Sequence, residues 1–140
     1  MKSLLEFFLK YFDFLYLNRR YHITDSTTAG VETINASLTV TGPTISWQIT
    51  NDRGQILFNL APTKLAAPEN WFRASIIRQH LDGFDERNLI SPVEAVAWMR
   101  DNISRIEDLF SDSSAAQACQ DLTALENANA DKYWGPSSDK

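Results

Sequence analysis

Apolar and polar positions alternate along three consecutive stretches near the start of the chain. Ile34, Ala36, Leu38 and Val40 are interleaved with Asn35, Ser37 and Thr39. Ile45, Trp47 and Ile49 are interleaved with Ser46, Gln48 and Thr50, and Ile56, Phe58 and Leu60 form a third set. A period of two puts one face of a strand in a core and the other in water. The connections Thr41-Gly42-Pro43-Thr44 and Asn51-Asp52-Arg53-Gly54 are short and rich in turn formers, so the strands are expected to be antiparallel neighbours. A shorter strand is expected over residues 21–26, with Tyr21 and Ile23 on one face and a turn around Gly30.

Helical periods flank this region. Residues 3–18 are almost all Leu, Phe or Tyr, apart from a stripe of Glu6, Lys10 and Asp13 spaced four and three. That pattern predicts a helix buried on most of its circumference, with Glu6 and Lys10 in the favourable i,i+4 order. Pro62 closes the sheet region, and residues 69–81 read as a helix carrying Trp71, Phe72, Ile76 and Ile77, with Gly83 just past its end. The stretch Asp82–Ile90 reads as a loop. Ser91-Pro92-Val93-Glu94 is a strong helix start: Ser91 suits the cap, Pro92 the first helical position and Glu94 a capping box. Val96, Met99, Ile103, Ile106 and Phe110 then form one apolar stripe about four turns long. Asp112-Ser113-Ser114 breaks this helix, and residues 115–132 favour another.

The expected fold is therefore α+β. An N-terminal helix precedes an antiparallel meander of three to four strands, and three C-terminal helices pack on one sheet face. One domain is expected over residues 1–134, with a frayed tail at 135–140.

Composition narrows the function. The 140 residues carry a net charge of −5, which argues against nucleic acid as a partner. The charge is uneven. Residues 1–81 hold eight Lys/Arg and six Asp/Glu, whereas residues 82–140 hold five and twelve, so +2 and −7 make up the total of −5. An acidic half suits a basic protein partner, because complementary charge speeds encounter. The N-terminal apolar run is interrupted by charges and followed by Leu17-Asn18-Arg19-Arg20 in place of a cleavage site, so a mature helix is expected, with no membrane span. The lone Cys119 admits no intrachain disulfide and fits a reducing compartment; the protein is expected to be cytoplasmic.

The motifs of catalysis are missing from the sequence. His22 and His80 stand in no metal-ligand spacing, and the five glycines form no phosphate loop. His80 with Asp82 or Asp85 is the one catalytic pairing to consider, and a histidine near a helix C-terminus has a simpler explanation in the macrodipole. Trp98 lies off the apolar stripe of its helix and Trp134 sits near the tail, so these two are the tryptophans best suited to a contact surface.

Three segments resemble a family of small bacterial toxin-immunity proteins. The first is Phe14-Leu15-Tyr16-Leu17 with Tyr21-His22-Ile23-Thr24-Asp25-Ser26. The second is Trp47-Gln48-Ile49-Thr50-Asn51-Asp52-Arg53-Gly54-Gln55-Ile56-Leu57-Phe58. The third is Trp71-Phe72, then Ala97-Trp98-Met99-Arg100-Asp101-Asn102-Ile103 and Ile106-Glu107-Asp108-Leu109-Phe110. Together they span about residues 12–110, and none is a catalytic motif. The resemblance implies an immunity protein of a contact-dependent inhibition or polymorphic toxin system. Such a protein uses no cofactor and occludes the active site of a cognate toxin domain, often a nuclease. A nuclease must be basic to hold a phosphate backbone, so an inhibitor imitating that backbone would carry carboxylates. Asp82, Asp85 and Glu86 on the loop form one candidate set. Asp101, Asp108 and Asp112, placed with Arg105 on one helical face, form a second. Two other readings stay open: a secretion chaperone binding an effector through the apolar helix at 3–18, and a small enzyme built on His80 and nearby acids. The sequence does not set the oligomeric state.

Overall fold

A computed structural model describes residues 1–28 and 36–134. Ile34 and Asn35 of the first alternating run, the turn around Gly30 and the tail from Gly135 lie outside the described residues. The chain opens with two helices, α1 (Lys2–Tyr11) and α2 (Asp13–Tyr16). Five strands follow: β1 (His22–Thr28), β2 (Ala36–Thr41), β3 (Ile45–Asp52), β4 (Gln55–Pro62) and a two-residue β5 (Phe72–Arg73). Four helices complete it: α3 (Ala74–Asp82), α4 (Pro92–Asp101), α5 (Ile103–Leu109) and α6 (Ala115–Trp134). The fold is α+β as expected.

The sheet is antiparallel throughout, in the order β1-β2-β3-β4-β5. Its register aligns the apolar positions read from the sequence. Val40 lies opposite Trp47 and Trp47 opposite Leu60; Leu38 lies opposite Ile49 and Ile49 opposite Phe58. All six are buried. Ser37, Thr39, Gln48, Thr50 and Asn59 hold the opposite, half-exposed face. The β3–β4 connection is a two-residue loop in which Arg53 and Gly54 both take positive φ, 53° and 91°. These are the angles of the hairpin turn that matches strand twist. Asn51 Oδ1 secures it by accepting from the Gly54 N–H at 2.9 Å.

The helices cover the apolar sheet face. Phe12 packs edge-on to Trp47 and near Phe58, with ring centroids 6.3 and 5.8 Å away. Ile76, Val96, Met99, Ile106, Phe110 and Leu122 extend the same cluster.

Four local expectations are corrected. The N-terminal helix breaks at Phe12 (φ −107°, ψ 29°), and this bend lets Phe12 and Leu15 both reach the core. Its outer face is not buried: Leu9 is 58% exposed, and Glu6 pairs with Lys2 at 4.0 Å instead of with Lys10. The helix expected from residue 69 begins at Ala74. Phe72 is drawn into strand β5 opposite Leu60, where it is fully buried. The stripe Val96–Phe110 is carried by two helices, because the Asn102 side chain competes for local hydrogen bonds. Asn102 Nδ2 donates to the Trp98 carbonyl and Oδ1 accepts from Arg105, both at 2.8 Å.

Candidate functional site: an apolar groove at the edge of the sheet

β5 pairs with only Asn59 and Leu60 of β4 before the chain turns into α3. A groove of about 380 Å³ opens beside the remaining part of β4. Ile56, Leu57 and Phe58 form one wall. Ala74, Ser75 and Arg78 from the start of α3 form another, and Phe84, Asn88 and Ile90 come from the loop that follows. Pro92, Ala95 and Trp98 of α4 close it. The loop can turn back because Gly83 takes φ +70° at the end of α3, donating its N–H to the Gln79 carbonyl. Helix α4 starts where the sequence places it, with Ser91 Oγ accepting from the Glu94 N–H at 3.2 Å.

The groove is mostly apolar with two cations in its wall: Arg73, which is paired with Glu86 and Glu126, and Arg78. The Arg78 guanidinium lies over the Phe84 ring, 4.0 Å from its centre, and 5.6 Å from the centre of the Trp98 ring. Among the described residues no carboxylate pairs with Arg78. Leu57 of the lining is solvent-facing, and so are Leu89 and Val93, next in sequence to the lining residues Ile90 and Pro92; Leu89 is 97% exposed.

The expected acidic sites are arranged differently. Asp82 accepts from Trp98 Nε1 at 3.0 Å and pairs with Arg105 at 2.8 Å. These bonds, the Arg105 one foremost, hold its carboxyl below the usual range. Asp85 is tied to Arg87 at 3.0 Å and lowered to about 2 by the hydrogen bonds that Arg87 donates. Glu86 is largely enclosed, its side chain 11% exposed, and accepts from Arg73 at 2.9 Å, Ser75 at 2.8 Å and Asn129 at 3.1 Å. Burial raises its pKa, but the bonds from Arg73 and Ser75 outweigh that and the net shift is downward.

Asp101 ends α4 and pairs with Arg100 at 3.2 Å; Asp112 lies beyond α5 and pairs with Lys64 at 2.7 Å. The break at Asn102 thus removes the single helical face proposed for Asp101, Asp108 and Asp112. Asp108 is exposed and has no cation partner among the described residues. Of the expected contact residues, Trp98 is the one that lines the groove. Trp134 is 85% exposed at the end of α6.

No protein-family model matches the chain, and no curated protein or solved structure is significantly similar to it.

His80 is exposed on α3, and its ring makes no hydrogen bond to Asp82 or Asp85, which are held by arginines. Among the described residues no group of three or more His, Cys, Asp or Glu is placed to hold a metal ion. Burial pushes the Cys119 thiol upward, away from the reactive thiolate. No helix among the described residues is long and apolar enough to cross a membrane. Sequence reading missed Arg78, Phe84, Leu89 and Ile90. The signal was three large apolar side chains, Phe84, Leu89 and Ile90, inside a stretch that otherwise reads as a polar loop.

Proposed function

We propose that this chain works by binding another protein, and that the partner is a bacterial toxin domain which it neutralises by covering the active site. The observation that carries the binding reading is the groove of about 380 Å³ with a mostly apolar lining that includes the exposed Leu57. A concave, mostly apolar pocket with a few polar groups is the kind of surface that binds a ligand or partner. Support for a toxin as the partner comes from the three segments resembling immunity proteins and from the acidic C-terminal half. Asp108, Asp121 and Asp131 are exposed there with no cation partner among the described residues. A basic nuclease would meet these carboxylates, not Asp82, Asp85 and Glu86, which are engaged within the chain.

A chaperone is the second reading, favoured by Leu9 and Leu17, which α1 and the end of α2 leave exposed. Co-purification separates the two. The tagged protein is incubated with lysates of toxin-bearing bacteria, and retained proteins are identified by mass spectrometry. The expected result is one basic toxin domain in stoichiometric amount, whose activity is abolished when purified protein is added back. Retention of an effector's N-terminal segment would favour the chaperone, and retention of nothing would remove both readings.

A further inference from the structure

The groove has a direction as well as a lining. β4 has eight residues, and β3 pairs with all of them from Gln55 to Pro62. On the other side β5 reaches only Asn59 and Leu60. Gln55–Phe58 therefore have a strand neighbour on one side, and no other backbone hydrogen bond among the described residues reaches them. An open strand edge is a template for another strand. β1 forms the opposite edge of the sheet, but it is exposed on both faces. The groove of about 380 Å³ lies alongside the β4 edge.

Arg78 supplies the chemical specificity. The guanidinium carbon lies 4.0 Å from the Phe84 ring centre, and a guanidinium held over an aromatic ring can still donate its N–H groups to a carboxylate. Asp82, one turn away, attracts Arg78 only through space and as the smallest of its influences, its hydrogen bonds going to Arg105 and Trp98. A ligand that covered Arg78 without bringing an anion would leave a desolvated, unpaired charge.

We infer that the groove takes an extended segment of the partner protein, which adds to β4 as a strand along Gln55–Phe58, in the line that β5 vacates. This segment places a large apolar side chain in the pocket and an acidic side chain against Arg78. The inference rests on the protein-binding reading above and specifies its mode: main-chain hydrogen bonds give affinity, while the pocket and Arg78 give selectivity.

The test uses the full chain and a phage-displayed library of random heptapeptides. Enriched peptides are expected to share an acidic residue beside a large apolar one. Binding of the consensus peptide should slow amide hydrogen exchange at Ile56–Phe58. Arg78→Gln should weaken that peptide by ~10–100-fold, the range of a lost charge-assisted hydrogen bond. Ala95→Phe, which fills the pocket from α4, should abolish binding. Circular dichroism of both variants establishes that they fold.

Several outcomes would overturn the inference: no enrichment, consensus peptides without an acid, or an unchanged Kd in both folded variants. Octanoate binding at Arg78 without peptide enrichment would also overturn it, in favour of a small amphiphilic acid. A toxin captured and neutralised equally well by wild type, Arg78→Gln and Ala95→Phe would leave the protein-binding reading intact and remove the groove from it.

Discussion

The indole N–H of Trp98 donates to the Asp82 carboxylate at 3.0 Å, joining the middle of α4 to the last residue of α3. The same carboxylate holds Arg105 of α5 at 2.8 Å. One acidic side chain thus fixes three helices and sets the orientation of a tryptophan that lines the groove.

Substitution of Asp82 should separate its two roles. Asp82→Asn keeps an acceptor for the indole but loses the charge that holds Arg105, whereas Asp82→Ala loses both. At pH 7 the melting temperature should fall in the order wild type, Asp82→Asn, Asp82→Ala. The Asp82 pKa is lowered in the folded protein. Its contribution is therefore present above the unfolded carboxyl value of about 3.9 and is lost as the pH falls through the folded value. Differential scanning calorimetry between pH 7 and pH 2 should show the wild-type advantage shrinking at the acid end. A constant advantage would contradict the ionic part of the account.

Asn129 is a buried polar side chain that bridges α6 to α3 and to the following loop. It exchanges two hydrogen bonds with Gln79, at 3.1 and 2.7 Å, and donates to Glu86 at 3.1 Å. Asn129→Ala leaves these partners unsatisfied and should cost ~1–3 kcal/mol in urea denaturation. Asn129→Asp should be worse at pH 7, because it sets a second carboxylate beside Glu86. Repulsion raises the folded pKa of such a pair, so the penalty should diminish as the pH drops towards 4 and one of the two takes up a proton. Equal stability of the two variants at every pH would refute this reading of the cluster.

Gly42 is required for space. A Cβ there would run into the Tyr21 ring, 2.6 Å from Cδ1, and lie 3.1 Å from the Ile45 carbonyl oxygen. Gly83 has open space around it but takes φ +70°, so its cost on substitution is one of backbone conformation. Gly83→Ala should lose roughly 1–2 kcal/mol from the left-handed backbone. Gly42→Ala should lose ~1–3 kcal/mol from overpacking. Only the Gly42→Ala loss should be relieved by a second change: Tyr21→Ala should cost less in that background than in wild type. Strict additivity in a double-mutant cycle would rule out the contact as the cause.

The meander, the tight Arg53-Gly54 turn and the Ser91-Pro92 helix start were all legible in the sequence, because each depends on residues a few positions apart. Alternation fixes which face of a strand is apolar, and two residues of the right kind fix a hairpin. The same holds for the buried stripe Val96, Met99, Ile106 and Phe110, which survives the helix break within it. Tertiary structure decided what local period cannot express. Phe12 interrupts its helix to reach Trp47 and Phe58, and Phe72 leaves the expected helix to pair beside Leu60. The acids of the loop that follow α3 read as a solvent-facing cluster, yet Glu86 is taken by Arg73, thirteen residues earlier, and by Asn129, forty-three later. The groove exists because β5 ends after two residues and the loop brings Phe84 under Arg78. Strand and helix periods are properties of neighbouring residues. Burial, ion pairing and an open strand edge depend on which distant segments the folded chain brings together.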